Sequence, residues 1–266
     1  MKTYTPDVSL VSSLHDPEAR LAKLTRTYGK ALKRMYFGHI AVRTTKNTHP
    51  ETLQALSSAS ISYTQQRTAS KYVSMGKTSK EAILQGVKFK TRHIHVCDFD
   101  RILHWIKTHP NELRDIVELL PSYQGLTWIG RTKRAFETHP KTQRKTEEIV
   151  NILASEVAGL EVDIMSGSYA MDLKSAKQIL KDSKKTDFSF FAEFLVIAKE
   201  KNIQINSLIT EGLEWETPDQ YTDKIQKEGY NDWLEEFMSL PEWKRRVELM
   251  EKNVSELVDG KSKDHS

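Results

Sequence analysis

The sequence predicts an α/β domain in which a mostly parallel sheet is flanked by helices. Short apolar runs alternate with longer segments of helical periodicity in the first part of the chain. Strands separated by helices are typical of βαβ crossovers, which place the strands parallel in one sheet. Apolar residues make up 38% of the 266 residues, which is enough for one sizeable core and too much for a disordered chain.

Four strands and three intervening helices are predicted in the first half. Residues 8–12 form a short apolar run bounded by prolines, which indicates a strand. The remaining strands are predicted at residues 36–43, 59–64 and 93–97, and the helices at residues 18–34, 50–56 and 78–87. Thr78 and Glu81 have the spacing of a capping box, so we expect the third helix to begin there.

The second half is predicted to extend the sheet and then to become helical. Strands are predicted at residues 126–129, 162–165 and 203–210, and helices at residues 111–120, 140–158, 175–181 and 188–201. After Pro218 the chain has a charged, helical pattern to Val258, and the polar stretch from Gly260 is expected to fray. We therefore predict an α/β domain over residues 1–220 and a helical C-terminal extension over residues 221–266.

Charge and cysteine content exclude several classes of protein. The 40 basic and 36 acidic residues give a formal charge of +4, and the basic runs are interleaved with acids. Nucleic-acid binding proteins usually carry a clustered basic face, so we predict no nucleic-acid partner. The single cysteine, Cys97, permits no intrachain disulfide. Without a signal-peptide pattern or a run of about 20 apolar residues, we expect a cytoplasmic protein that does not span a membrane.

The clearest chemical signal is the pair of carboxylates Asp98 and Asp100. They follow the fourth predicted strand, and ligands of parallel sheets bind beyond the carboxyl ends of the strands. Carboxylates two residues apart can converge on a hard divalent cation, whose remaining ligands are usually substrate phosphates and waters. The alternative is that Asp98 caps the next helix and Asp100 pairs with Arg101 or Lys107.

The order of these parts resembles the GT-A fold of nucleotide-sugar glycosyltransferases, especially the inverting family-two group. That group has a short first strand, a glycine-led helix before the central strand, and a DxD motif after it. Here the corresponding residues are 8–12, 76–87 and 98–100, and the resemblance spans roughly residues 6–217. It implies transfer of a sugar from a nucleoside-diphosphate sugar to a hydroxyl acceptor. It also implies Mg²⁺ or Mn²⁺ held by Asp98 and Asp100.

The resemblance further implies which residues border the nucleotide-sugar. They are Ser13, Asp16, Thr44, Gly76, Lys77, Lys80 and Gly167, together with Asp98. Ordinary alternatives exist, since Asp16 also fits a helix start, and Gly76 and Gly167 also fit tight turns. Arg131 lies in a basic segment that is predicted to be a loop, where it would contact a phosphate or else be a solvent-exposed cation.

An acidic residue at a helix start acts as general base in family-two members, and the corresponding residue here is Asp187. Burial would raise its pKa towards neutrality, whereas a plain N-cap would lower it. Glu193, within the same apolar helix, is a second candidate, or else a carboxylate at the core edge with a basic partner. Trp215 and its acidic neighbours are expected to line the acceptor cleft, although a core tryptophan is the commoner case.

Two other functions fit parts of the sequence. The first is a non-catalytic GT-A-like module that docks a protein partner through its C-terminal helices or forms a homo-oligomer. The absence of the Gln-x-x-Arg-Trp motif of processive family members favours that alternative. The second is a sugar nucleotidyltransferase, which needs a glycine-rich basic loop after the first strand. Residues 12–20 contain no glycine, so this alternative ranks below the others.

Overall fold

The computed structural model describes residues 7–66 and 75–262, and its centre is one mixed sheet. The strands are β1 (Val8–Leu14), β2 (Ile40–Thr44), β3 (Ser62–Gln65), β4 (His93–Cys97), β5 (Leu126–Arg131), β6 (Ser168–Asp172) and β7 (Ile205–Thr210). Within the described residues these seven strands have the order β3-β2-β1-β4-β6-β5-β7. All run parallel except β6, which is antiparallel to both β4 and β5.

Helices cover both faces of the sheet, as the sequence predicts. Their bounds are α1 (Ala22–Met35), α2 (Pro50–Ser58), α3 (Met75–Phe89), α4 (Phe99–Thr108), α5 (Pro110–Leu119), α6 (Lys133–Glu137), α7 (Lys141–Ala158), α8 (Leu173–Asp182), α9 (Phe190–Glu200), α10 (Thr222–Glu228), α11 (Tyr230–Glu235) and α12 (Leu240–Ser262). Short 3₁₀ turns lie at Leu120–Ser122, Thr217–Gln220 and Glu236–Met238. Each helix in the part of the chain that the structure describes is too short or too polar to cross a bilayer.

Two apolar clusters hold the helices against the sheet. Leu10 of β1 belongs to the cluster that contains Trp105 of α4, whereas its neighbour Val11 belongs to the cluster that contains Phe194 of α9. Successive residues of a strand point to opposite faces, so the two clusters lie on opposite sides of the sheet. A parallel strand buried on both faces is apolar along most of its length, and all five residues of β4 are buried.

The strand predicted at residues 162–165 is wrong. The strand β6 forms a few residues later and lies between β4 and β5. Its residue Tyr169 is opposite Val96 of β4 on one side and Trp128 of β5 on the other. Val162, Ile164 and Met165 are buried in the core cluster that includes α7 and α9. Their apolar character therefore reflects burial in the core and not pairing in the sheet.

The capping box predicted at Thr78 is also wrong. Helix α3 begins at Met75, so Thr78 lies inside the helix, where it is buried. The strand predicted from residue 36 begins only at Ile40, because Phe37 and Gly38 adopt positive φ angles of 50° and 84° in the turn after α1. Positive φ interrupts an extended strand.

The C-terminal helices pack on the α/β domain. Leu257 of α12 lies in the same core cluster as Phe194 of α9. Trp215 is buried and stacks on Trp233 of α11, with 5.2 Å between the ring centroids, so it is a core residue. Helix α12 extends to Ser262, and the remaining tail residues that were expected to fray lie outside the described residues. The domain boundary at residue 220 stays a prediction.

Gly86 sets how closely α3 approaches the sheet. A Cβ atom at this position would lie 2.8 Å from Ile94 Cγ2 and 2.9 Å from Val11 Cγ1. We expect Gly86→Val to lower the free energy of unfolding by about 1–3 kcal/mol, because the added side chain pushes α3 off the strands. Urea denaturation followed by circular dichroism measures this change.

The matched control is Lys88→Val, which introduces the same β-branched residue at an exposed position of the same helix. Equal losses of stability in the two variants would show that helix propensity, and not contact with the sheet, sets the effect.

Candidate functional site

Asp98 lies at the carboxyl end of the central strand β4, where the chain enters α4. It occupies the N-cap position, but its side chain makes no capping hydrogen bond to any described residue of the helix. Asp98 Oδ1 instead accepts a hydrogen bond from Ser13 Oγ at 3.2 Å. The backbone N–H of Asp98 donates to the carbonyl oxygen of Gly167 at 3.1 Å. The carboxylate is therefore directed across the ends of β1 and β4, and does not act as a simple helix cap.

Three residues predicted to border the nucleotide-sugar meet in one recess. Ser13, Asp98 and Gly167 line it together with Met75, Ser79, Ala82, Val96, Tyr169, Phe190 and Phe191. Gly167 has a positive φ of 71°, and a Cβ atom there would lie 2.8 Å from Asp98 Oδ2 and 2.9 Å from Arg101 Nε. Only glycine permits both the backbone angle and the close approach to the carboxylate.

Asp100 lies in the first turn of α4, beside Asp98. Its Oδ1 accepts a hydrogen bond from the backbone N–H of Arg101 at 2.8 Å, and its Oδ2 accepts one from Gln220 Nε2 at 3.1 Å. Burial, followed by the negative charges of Glu216 and Asp98, raises the pKa of Asp100 to about 7. Burial also raises the pKa of Asp98, although Arg101 and Ser13 oppose that change.

Arg101 lies buried among these acidic groups. Its Nε is 4.0 Å from Asp98 Oδ2 and 3.9 Å from Glu216 Oε2. Arg101 Nη1 and Glu216 Oε2 have no hydrogen-bond partner among the atoms of residues 7–66 and 75–262. Burial lowers the pKa of Arg101, but Glu216 and Asp98 outweigh it and raise the pKa, so the guanidinium is a permanent cation. The guanidinium therefore supplies a fixed positive charge beside Asp98 and Glu216.

The segment after β7 contributes further polar groups to α4. His104 Nδ1 lies 2.8 Å from Asp219 Oδ2, and His104 Nε2 lies 3.5 Å from Glu214 Oε1. Burial lowers the pKa of His104, but the hydrogen bond and charge of Asp219 outweigh it and raise the pKa. The proximity of His104 to Asp98 in the sequence makes it a candidate neighbour of the two carboxylates. Asp219 is distant in the sequence, so no local pattern joins it to them.

The carboxylates of Asp98 and Asp100 fit a hard divalent cation that arrives with a phosphate ligand. In the described part of the chain, no three His, Cys, Asp or Glu side chains surround a common metal position. Protein sites for Mg²⁺ often supply only one or two carboxylates, and substrate phosphates and waters complete the shell. The side chain of Asp98 keeps 37% of its surface exposed, which leaves it accessible to such an ion.

Asp16 and Thr44 are buried in the protein and do not line the recess. Asp16 Oδ1 accepts a hydrogen bond from the backbone N–H of Arg20 at 2.9 Å, and its Oδ2 accepts from Leu21 N at 3.0 Å and Thr52 Oγ1 at 2.6 Å. Asp16 therefore orders the loop before α1, but it does not cap this helix, whose N-cap residue is Leu21. Thr44 is fully buried at the end of β2. Contact of either residue with a nucleotide stays a prediction.

Gly76, Lys77 and Lys80 contact the segment that precedes α9. A Cβ atom on Gly76 would lie 2.7 Å from the carbonyl oxygen of Asp187. The backbone N–H of Lys77 donates to Thr186 O at 3.3 Å, and Lys80 Nζ donates to Ser183 O at 3.3 Å. The three residues thus hold the 183–187 segment against the start of α3. Their contact with the donor stays a prediction.

Asp187 lies at the end of that segment, in surroundings that favour its charged form. Asp187 Oδ1 accepts hydrogen bonds from the backbone N–H and the hydroxyl of Ser189 at 3.1 and 2.6 Å. Lys252 Nζ lies 3.6 Å from Asp187 Oδ2. Burial raises the pKa of Asp187, but the contacts with Ser189 and Lys252 outweigh burial and lower it.

Glu193 is buried and fixes the start of the same segment. Its Oε1 accepts hydrogen bonds from the backbone N–H groups of Lys184 and Lys185 at 2.6 and 2.9 Å, and its Oε2 accepts one from the Ser183 hydroxyl. The basic partner expected for a core-edge carboxylate is thus replaced by backbone donors. This arrangement gives Glu193 a structural role.

Arg131 is not in a basic loop, contrary to the prediction. It is the last residue of β5, and its side chain is fully buried. Its guanidinium binds Asp163 at 2.7 and 2.9 Å and Glu147 at 2.8 Å. The contacts with two carboxylates explain its burial and leave contact with a phosphate unsupported.

Comparison with known proteins identifies similar structures but no similar sequences. No protein-family model matches the chain, and no curated protein sequence is significantly similar to it. The glucosyl-3-phosphoglycerate synthase of Mycobacterium tuberculosis matches with a TM-score of 0.50 and 12% identity, covering 77% of this chain and 70% of that chain. The complex of that enzyme with Mn²⁺, uridine-diphosphate-glucose and phosphoglyceric acid matches with a TM-score of 0.50 and 12% identity. The match covers 77% of this chain and 69% of that chain. The crystal structure of a mycobacterial protein matches with a TM-score of 0.51 and 12% identity, covering 79% of this chain and 70% of that chain.

These similarities confirm the predicted α/β fold of the GT-A type, with its mostly parallel sheet and C-terminal helix. At 12% identity they concern the fold alone. A fold serves many activities, so function has to be argued from the site.

We expect Asp100→Asn to stabilise the metal-free protein at alkaline pH. The pKa of Asp100 is about 7 in the fold, whereas an unfolded aspartate titrates near about 3.9. Its contribution to stability is therefore complete below about pH 4 and is lost as the pH rises through about 7. Asn carries no charge, so the melting temperature in chelator should rise by a few degrees at about pH 8 and stay unchanged at about pH 3.5, below the titration of both states.

The control is Asp115→Asn, which removes one negative charge from an exposed position on α5. If Asp100→Asn shifted the melting temperature equally at both pH values, its titration would not be the cause.

Proposed function

We propose that this protein is a metal-dependent glycosyltransferase that moves a sugar from a nucleoside-diphosphate sugar to a hydroxyl acceptor. The observation that carries the proposal is the position of Asp98 and Asp100 at the carboxyl end of β4, beside Ser13 and Gly167. A solved structure of similar fold is a complex with Mn²⁺ and uridine-diphosphate-glucose, which supports a donor of this class.

The proposed donor site uses Asp98 and Asp100 to hold Mg²⁺ or Mn²⁺. A divalent cation there would neutralise the charge that develops on the departing diphosphate. Arg101 lowers the pKa of Asp98 and of Asp100 and so offsets part of the effect of burial, which raises both pKa values. Ser13 fixes one oxygen of Asp98 through its hydrogen bond, which leaves Oδ2 as the oxygen nearer to Gly167 and Arg101.

An inverting reaction is the finer part of the proposal, and it assigns the general base to Asp187. The lowered pKa keeps this carboxylate ionised at neutral pH, so it is able to accept a proton, although as a weak base. Ser189 fixes its orientation through two hydrogen bonds. Glu193 is the less suitable candidate, because its oxygens are occupied by Ser183, Lys184 and Lys185.

Thermal-shift measurements with a panel of nucleoside diphosphates and nucleotide-sugars test the donor site. We expect one nucleotide to raise the melting temperature in Mn²⁺ or Mg²⁺ and not in chelator. Asp98→Asn should abolish this metal-dependent shift, since one of the two carboxylate ligands is lost. Asp115→Asn is the matched control and should retain it, because Asp115 is exposed on α5.

A shift of normal size in Asp98→Asn would refute the metal assignment. Absence of any shift in the unaltered protein would instead favour the non-catalytic module.

Replacement of Asp187 by Asn tests the base. General-base catalysis contributes about 10²- to 10⁴-fold, so we expect Asp187→Asn to lower kcat by at least about 10²-fold. The nucleotide-dependent thermal shift should persist, because Asp187 contacts Ser189 and Lys252 and does not line the recess at Asp98. Full activity in Asp187→Asn would remove this residue from the mechanism, whatever the donor.

A further inference from the structure

The outward face of α7 carries a stripe of four exposed residues. The spacing along the sequence is four, three and four positions, which places these residues in one row along the helix. They are Lys145, Ile149, Ile152 and Glu156. Ile149 is 45% exposed and Ile152 is 59% exposed. Both isoleucines therefore present about half of their surface to solvent, and the apolar centre of this row needs an explanation other than the core.

The row borders a groove of about 610 Å³ between α7 and β7. The groove is lined by Ile152 and Glu156 of α7 and by Ser207 and Ile209 of β7. Ile209 is 69% exposed. In the described part of the sheet β7 pairs only with β5, so its other edge is open. Exposed apolar side chains beside an open strand edge are typical of an interaction surface.

The charges of α7 run opposite to those that stabilise an isolated helix. A helix prefers acids in its first turn and bases in its last turn, because of its macrodipole. The first turn of α7 has no acidic residue and the last turn no basic residue. Lys141 and Lys145 instead lie near the start, and Glu156 lies in the last turn. A partner helix running in the opposite direction would offset both unfavourable charges.

We propose that this face of α7 binds a second copy of the chain about a two-fold axis, with the two α7 helices antiparallel. The spacing of the row is symmetric, so a single axis between Ile149 and Ile152 places Lys145 opposite Glu156 of the second copy. The same axis places Ile149 opposite Ile152 of the second copy. A two-fold interface uses one surface twice and must therefore be complementary to itself. A row that is basic at one end, apolar in the middle and acidic at the other meets that condition.

A second copy explains the row better than a partner of a single charge sign. An acidic partner would suit Lys145 but repel Glu156, and a basic partner would do the reverse. Within one chain Lys145 already contacts Glu148 at 2.8 Å. Both side chains are about half exposed, at 58% and 49%. Exposed pairs of this kind contribute little, so Lys145 is available to a second copy.

Charge exchange along α7 tests the proposal in the full chain, with analytical ultracentrifugation as the measurement. We expect the unaltered protein to dimerise and Ile152→Glu to be monomeric, because the variant places a charge at the apolar centre. Lys145→Glu and Glu156→Lys should each raise the dimer Kd by about tenfold, since each creates two like-charge contacts per dimer. The double variant, with both exchanges, should restore Kd to within about twofold, because opposite charges face each other again.

Leu240→Glu is the matched control for Ile152→Glu, because Leu240 is 83% exposed on α12 and lies outside the row. It should leave the dimer intact. Circular dichroism of every variant should match the unaltered protein, since the altered side chains are exposed. A chain that stays monomeric at about 100 μM overturns the proposal. A double variant no tighter than either single variant also overturns it, because the two charges would then not face each other.

Discussion

The buried guanidinium of Arg101 is the contact on which the candidate site depends, because the carboxylates of Asp98, Asp100 and Glu216 converge around it. Carboxylates buried together repel one another and lose hydration, and a fixed cation among them offsets part of that cost. One guanidinium does not balance three carboxylates, so negative charge from Glu216 adds to burial, the main cause of the raised pKa values of Asp98 and Asp100. The site is therefore suited to a second cation.

A second buried arginine shows by contrast what a purely structural ion pair looks like. Arg131 binds Asp163 and Glu147 at distances of 2.7 to 2.9 Å. The nearest carboxylates of Arg101 lie at 3.9 and 4.0 Å. Short contacts with two partners hold the end of β5 against α7, whereas the contacts of Arg101 with its carboxylates are longer. The two arginines share a charge and a degree of burial but differ in how tightly their partners hold them.

The C-terminal helix is connected with the site through the segment that carries Asp187. Lys252 of α12 contacts Asp187, and Glu256 of α12 contacts Lys185 at 2.6 Å. Glu193 holds the same segment from α9 through backbone N–H groups. The segment is thus fixed from three sides, by α3, α9 and α12. That arrangement explains how a loop residue is kept in one orientation, as the proposed role of Asp187 as a base requires.

The sequence by itself determined the features that arise from local patterns. The alternation of apolar runs and helical periodicity predicts the α/β fold. It also predicts the bounds of β4, because a strand buried on both faces is an apolar run in the sequence. The position of Asp98 and Asp100 follows from those bounds. Only the tertiary structure decided which apolar run pairs in the sheet. Residues 162–165 and β6 are both buried, and burial alone does not specify hydrogen-bonding partners. It also decided that Glu216 joins Asp98 and that Arg131 meets Asp163, because charges distant in sequence become neighbours only when the chain packs.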